Sequence, residues 1–495
     1  MTYGEPPTFE PPPPYGALPY AGPSRRRDRI LLAVSGFLVV VVVAGGLAAI
    51  LWRDTKSRPP HPKEWDPRVL DIVKFDEQHR GLTFKEPVFV DFLDAKAYSE
   101  RVRTEQSKLT DKEKQQLSAF QGELRALGLS NSTGDLGEAL NKLVDVGTLA
   151  FYDPETQRVT IRGTEITVDL RVTLAHEFTH VLQDQYFGVG KGRTDKFTTS
   201  QEQTSFRALV EGDAVRIENE YIAALSARDK AEYDQTHQKA VDTATTGLAD
   251  VPIALQALQA APYLLGPPFV ELLDADGKQA EVDQAFRKPP ATDEQVMEAP
   301  AFLRHESALE VDEPALPDGV TKDNVIDSGD FGATSWLLVL AERIDPLVAL
   351  RAVDGWGGDA YVAYEQNGTT CVRIAWQGDT DADHLAMQDA LNQWVAAMPA
   401  GAASVTPQGA VLLMQACDPD AGVSITVNNR AIDVLQLPSA RSQFMLEAVR
   451  QLSFTIDKAF AFGDCVVHSL SFDQFKAADR PAIQSAVVAC RDKPS

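Results

Sequence analysis

The stretch LAHEFTHVLQD, Leu174 to Asp184, sets two histidines four positions apart and a glutamate directly after the first. On a helix, residues four apart lie about 40° from one another around the axis, so His176 and His180 present both imidazoles on one face. Two nitrogens about 2 Å from one Zn2+ can be supplied that way. Glu177 lies about 100° further round, where it is poorly placed as a third protein ligand. It is well placed to take a proton from a water whose pKa the metal lowers to about 7. The plainer reading is an amphipathic helix with histidine and glutamate on its polar side, but that combination of residue types at that spacing is a rare coincidence.

Zinc in a hydrolytic site takes a third protein ligand and leaves a fourth position open. The candidate is Glu211 in ALVEGDA, 31 positions after His180. Small Ala208 and Ala214 flank it on its own face, which would let its helix approach the histidine-bearing one. Asp213 lies about 200° away and is not expected to ligate. Glu218, two turns along on nearly the same face as Glu211, is a reserve ligand or an outer partner; Glu202 is a weaker rival. An electrophile toward a developing oxyanion would come from elsewhere, with Tyr263, Tyr221 and His237 as candidates. His305, His384 and His468 stand alone in sequence and read as packed or solvated. GWGGD, Gly355 to Asp359, lacks the lysine and spacing of a phosphate loop and reads as a tight turn over Trp356.

The elements that must position these residues follow from periodicity. Leu170, Leu174, Phe178, Val181 and Leu182 recur at helical spacing up to Gly188, so the motif lies on one helix with a buried stripe. TLAFYDPETQRVTIRG, just before it, reads as a hairpin around Asp153-Pro154-Glu155, and EPVFVDFL as a buried strand. DKEKQQLSAFQGELRALG is a helix closed by Gly128, and EQTSFRALVEGDAVRIENEYIAAL another. VPIALQALQAAPYLLGPPFVELL is apolar but punctuated by proline. Further on, ATSWLLVLAERI and TDADHLAMQDALNQWVAAM are helices, flanking a glycine turn into two strands.

The chain has 495 residues and is 44% hydrophobic, enough to bury a sizeable core. Its 71 acidic against 47 basic residues leave a net charge of −24, which makes a nucleic-acid partner unfavourable. Ile30 to Trp52 runs without a charge for long enough to cross a bilayer. It reads as a membrane anchor rather than a cleaved signal, because its apolar run is long and the segment before it extended. Basic residues match on the two sides, so charge does not orient it. Cys371, Cys417, Cys465 and Cys490 are an even set beyond the span, without C-x-x-C spacing, and imply disulfides in an oxidising compartment. Of three pairings the nearest in sequence is Cys371 with Cys417 and Cys465 with Cys490. Residues 1–29 then form a disordered, proline-rich cytoplasmic tail, 30–52 the anchor, 53–68 a linker, 69–402 an outward-facing domain, and 403–495 a cysteine-containing region of unassigned role.

HEFTH followed by EGDA resembles the zincin metallopeptidases of the glutamate-liganded branch. HVLQDQYF, PYLLGPPFVELL, PPATDEQV and GWGGDAYVAY are similar to stretches of bacterial, often membrane-anchored, metallopeptidases. The resemblance covers about half the chain. It implies His176, His180 and Glu211 as zinc ligands, Glu177 as catalytic base, and an α+β, mainly helical domain whose small strand region precedes the HExxH helix. It further implies hydrolysis of a peptide or protein substrate. The gap to Glu211 is longer than is usual in that branch. Two rivals are a non-catalytic envelope scaffold of the same fold, and an amide or ester hydrolase acting on cell-wall material.

Overall fold

The computed structural model describes residues 59–103, 109–132, 134–146, 149–419, 423 and 427–491. The expected tail, the apolar span Ile30–Trp52 and the first part of the linker lie outside them. Among the described residues no helix is long and apolar enough to cross a membrane. The architecture is mixed α+β and mainly helical, with two separate small sheets.

The first sheet has the order β1-β3-β2, with β1 (Phe89–Leu93) parallel to β3 (Arg158–Arg162) and β2 (Ala150–Asp153) antiparallel to it. β2 and β3 are the hairpin anticipated around Asp153. Its carboxylate accepts from Glu155 N at 3.0 Å and Thr156 Oγ1 at 2.9 Å, an Asx-type turn. β1 is half-buried, not fully buried as expected, whereas β2 at the opposite edge is buried throughout. The sheet packs Val159, Ile161 and Ala150 against Leu170, Leu174, Phe178 and Val181 of the histidine helix, Val168–Phe187. That helix begins at Thr167, whose side chain accepts from Leu170 N, and stops at Gly188, which takes the left-handed φ of 67°.

Residues set apart as linker join this core. Trp65 packs edge-on against Phe84 and Phe178, with ring centroids at 4.9 and 5.3 Å. A short turn at Pro67–Val69 then leads into the helix Leu70–Arg80; the turn adds Val69 and the helix Ile72 and Val73 to the same cluster. An indole among charged and proline residues packs wherever an aromatic surface is offered, and composition cannot reveal that surface.

The glutamate helix, Ser200–Ala224, starts with a capping box in which Thr199 and Glu202 satisfy each other's backbone N–H groups. It crosses the long helix Ile253–Arg287, which carries Pro262, Pro267 and Pro268 and is broken at Lys278 (φ 60°, ψ −165°). At the crossing the two backbones touch. A β-carbon on Gly212 would lie 2.4 Å from the Gly266 carbonyl, and one on Gly266 2.1 Å from Ala208 O. The close approach expected of Ala208 is therefore made toward the proline-bearing helix, with Gly212 beside it.

The second sheet is antiparallel, with the order β4-β5-β6-β8-β7: Val325–Gly329, Trp356–Gln366, Thr369–Gly378, Val411–Cys417 and Ala403–Gln408 respectively. Asn367 and Gly368, both at positive φ, close the β5–β6 hairpin. GWGGD is not a tight turn; it opens β5. Asp359, buried, accepts from Trp356 Nε1 (2.7 Å), Trp336 Nε1 (2.9 Å), Phe331 N (2.8 Å) and Gly332 N (3.0 Å). Cys371 faces Cys417 across β6 and β8 and is bonded to it; Cys465 is bonded to Cys490 between the last two long helices. β7 and β8 complete the sheet begun at Val325, and Val434, Leu435 and Phe462 share its core, so the boundary drawn at Ala402 falls inside this sheet and core.

Candidate metal centre

The histidine and glutamate helices lie side by side and bring His176, His180 and Glu211 together, with one ligand atom from each within 4.8 Å of the others. His176 Nε2 is 3.0 Å from His180 Nε2, and Glu211 Oε2 is 3.3 and 3.4 Å from the two nitrogens. Three donors around a tetrahedral ion with bonds of 2.0–2.1 Å stand about 3.3 Å apart. The separations therefore suit zinc.

The outer contacts decide which atoms carry lone pairs. His176 Nδ1 is 3.1 Å from Glu218 Oε2, and His180 Nδ1 is 2.9 Å from Gln183 Oε1. Both partners are acceptors, so each Nδ1 bears the hydrogen and each Nε2 turns a lone pair inward. Glu211 Oε2, buried between them, makes no hydrogen bond of its own among the described residues. Three converging lone pairs in a buried site repel one another unless a cation sits among them. The cluster's demand for positive charge is visible in His176, whose pKa burial alone would lower but which Glu211 and Glu218 hold well above its ordinary value.

Glu177 is buried beside the cluster, and the backbone N–H of Tyr152 in β2 donates to its Oε2 at 2.7 Å. Burial pushes its pKa up to about 7, against the pull of His180 and His176. The small sheet thus contributes directly, because β2 delivers a main-chain donor that holds the carboxylate. Arg207, one turn before Glu211, places Nε 3.7 Å from Glu211 Oε1.

The remaining sequence candidates separate. Glu218 is the outer partner of His176, while Glu202 is spent on the helix cap. Tyr263 stacks on the His176 ring, centroids 6.2 Å apart; Tyr221 packs edge-on against Phe75 and His237 on Tyr233. His468 is not isolated: with Asp354 and Asp464 it makes a second group at ligand spacing. Arg441 already supplies the cation there, with Nη1 2.6 Å from Asp354. Gln183, Tyr152 and Arg80 were not picked out from sequence. Gln183 could have been, since it lies three residues after His180 and so on its face; Arg80 and the Tyr152 amide carry no local signal.

A family model described as a domain of unknown function (DUF8575) matches residues 320–449, which covers the five-stranded sheet and most of the helix Ala431–Leu452 and leaves the histidine cluster outside. No curated protein and no solved structure matches the chain.

Proposed function

We propose that this chain is a zinc-dependent peptidase of zincin type, held at the cell membrane by Ile30–Trp52 with its described part outside the cytoplasm. The observation that carries the reading is the convergence of two histidine lone pairs and a buried carboxylate oxygen, with Glu177 next to them. His176, His180 and Glu211 would hold the ion. Bound there, zinc supplies Lewis acidity toward a carbonyl oxygen and toward water.

Glu177, one oxygen anchored by Tyr152 N–H, accepts the proton of the attacking water through its other oxygen and returns it to the departing amine. Its burial keeps it a strong enough base at neutral pH. Tyr263, on the helix that braces the glutamate helix, is the candidate for steadying the oxyanion, since the fold sets its ring against His176. The two disulfides support placement in an oxidising compartment.

The test compares the parent with Glu177→Gln and His176→Ala, measuring bound zinc and cleavage of unbiased peptide libraries. Glu177→Gln should keep about one zinc and lose on the order of 10²-fold or more in turnover; His176→Ala should lose both. A parent that holds zinc but cleaves no peptide leaves the scaffold and the cell-wall amide or ester hydrolase as the remaining readings. Cleavage by Glu177→Gln at the parent rate removes Glu177 as the base.

A further inference from the structure

The two histidines of the cluster are oriented by different chemistry. His176 leans on a carboxylate, Glu218, whereas His180 leans on the side-chain amide of Gln183. An amide has two faces. Its oxygen toward Nδ1 forces the hydrogen onto Nδ1 and frees Nε2 for a metal; its nitrogen there would force the opposite tautomer and block ligation. Something must therefore hold the amide the right way round.

We infer that Gln183, Asp213 and Arg80 form a positioning relay that fixes the ligating tautomer of His180. Gln183 Nε2 donates to Val210 O at 2.9 Å and to Asp213 Oδ2 at 3.0 Å, so both of its hydrogens are engaged and Oε1 is left to face His180. Asp213 is itself fully buried and is met, among the described residues, by donors: Arg80 Nε at 2.7 Å and Gln183 Nε2 on Oδ2, and Arg216 Nη2 at 3.0 Å on Oδ1. It stays an acceptor at both oxygens. Arg80, also fully buried, is anchored in turn to Asp283 at 2.8 Å on the long helix. The relay ties the helix Leu70–Arg80, the glutamate helix and the histidine helix to a single ring nitrogen. It also gives Asp213 of EGDA a part that does not require it to touch the ion.

This inference rests on the metal-site reading, and the experiment keeps the two apart. The full chain carrying 15N-labelled histidine is examined metal-free by long-range 1H–15N correlation, and zinc affinity is measured by chelator competition. The parent should show His180 protonated at Nδ1. Gln183→Met removes the acceptor and should let His180 populate the Nε2–H tautomer while zinc affinity falls roughly 10- to 100-fold, the usual effect of losing an outer partner. Should that variant not fold, Asp213→Ala carries the same readout, because it removes the oxygen that accepts from Gln183 Nε2. An unchanged tautomer and unchanged affinity in a folded variant overturn the relay even if the parent binds zinc. The Nδ1–H tautomer in a parent that binds no zinc, lost in Gln183→Met, upholds the relay and rejects the metal.

Discussion

Gly212→Ala pits helix propensity against packing. In the interior of an exposed helix the change gains up to about 1 kcal/mol. Here the new β-carbon would stand 2.4 Å from the Gly266 carbonyl carbon and oxygen and 2.9 Å from its Cα. Carbon atoms rest at about 3.5–4.0 Å, so the helices must separate by about 1 Å at this point. The obstructing atoms are backbone and cannot rotate away, which places the cost at or above the upper end of the ~1–3 kcal/mol seen for overpacked cores. Packing wins, with a net loss of about 2 kcal/mol after the propensity gain. Glu211 is the adjacent residue, so a shift of that size also spoils the contacts of 3.3 and 3.4 Å that its carboxylate makes to the histidines. Denaturant unfolding of the metal-free protein should show the stability loss, and chelator competition a zinc affinity reduced tenfold or more. Gly192→Ala, whose β-carbon meets nothing within 4 Å, is the control and should be neutral. A Gly212→Ala protein as stable as its parent, with unaltered zinc affinity, refutes the crossing argument.

Three further outcomes are expected. Glu211→Ala should abolish zinc binding, while Glu202→Ala should retain it and lose only about 1 kcal/mol of helix capping; equal retention removes Glu211 from the site. Asp359→Asn should destabilise by about 3 kcal/mol, since an amide nitrogen must then face one of the two indole or two backbone donors now held by the carboxylate; a midpoint unchanged in thermal unfolding argues against that network. Peptide cleavage should lose about tenfold in kcat/KM per pH unit below an acidic limb. Glu177 acts as a carboxylate, burial sets it near 7 and a nearby dication can only lower it, so a limb above pH 7 excludes Glu177 as its source.

The histidine helix was legible because two local signals agree along it: an apolar stripe and a stop at Gly188. Glu211 was legible for a different reason, since facial geometry selects it over Asp213 within one helix. What that geometry could not supply was the neighbour. Ala208 predicted a close approach correctly but not to which helix, because the partner is set by Gly266, far along the chain. The Tyr152 amide and Arg80 were invisible for the same cause. A backbone donor has no sequence signature, and an arginine looks solvent-bound until the fold buries it between Asp213 and Asp283. GWGGD misled in the opposite sense: three glycines suggest a turn, but here they admit Leu309 and Asp383 to the start of a strand.

The seating of Trp65 on Phe178 limits where this chain can be cut. Phe178 belongs to the helix that carries both histidines, and Arg80, just downstream of the indole, ends the chain of contacts leading to His180. A protease that cleaved after Trp65 would peel a cover from the histidine helix. A released form that keeps its site must be severed upstream of that tryptophan, and any recombinant version should start there too.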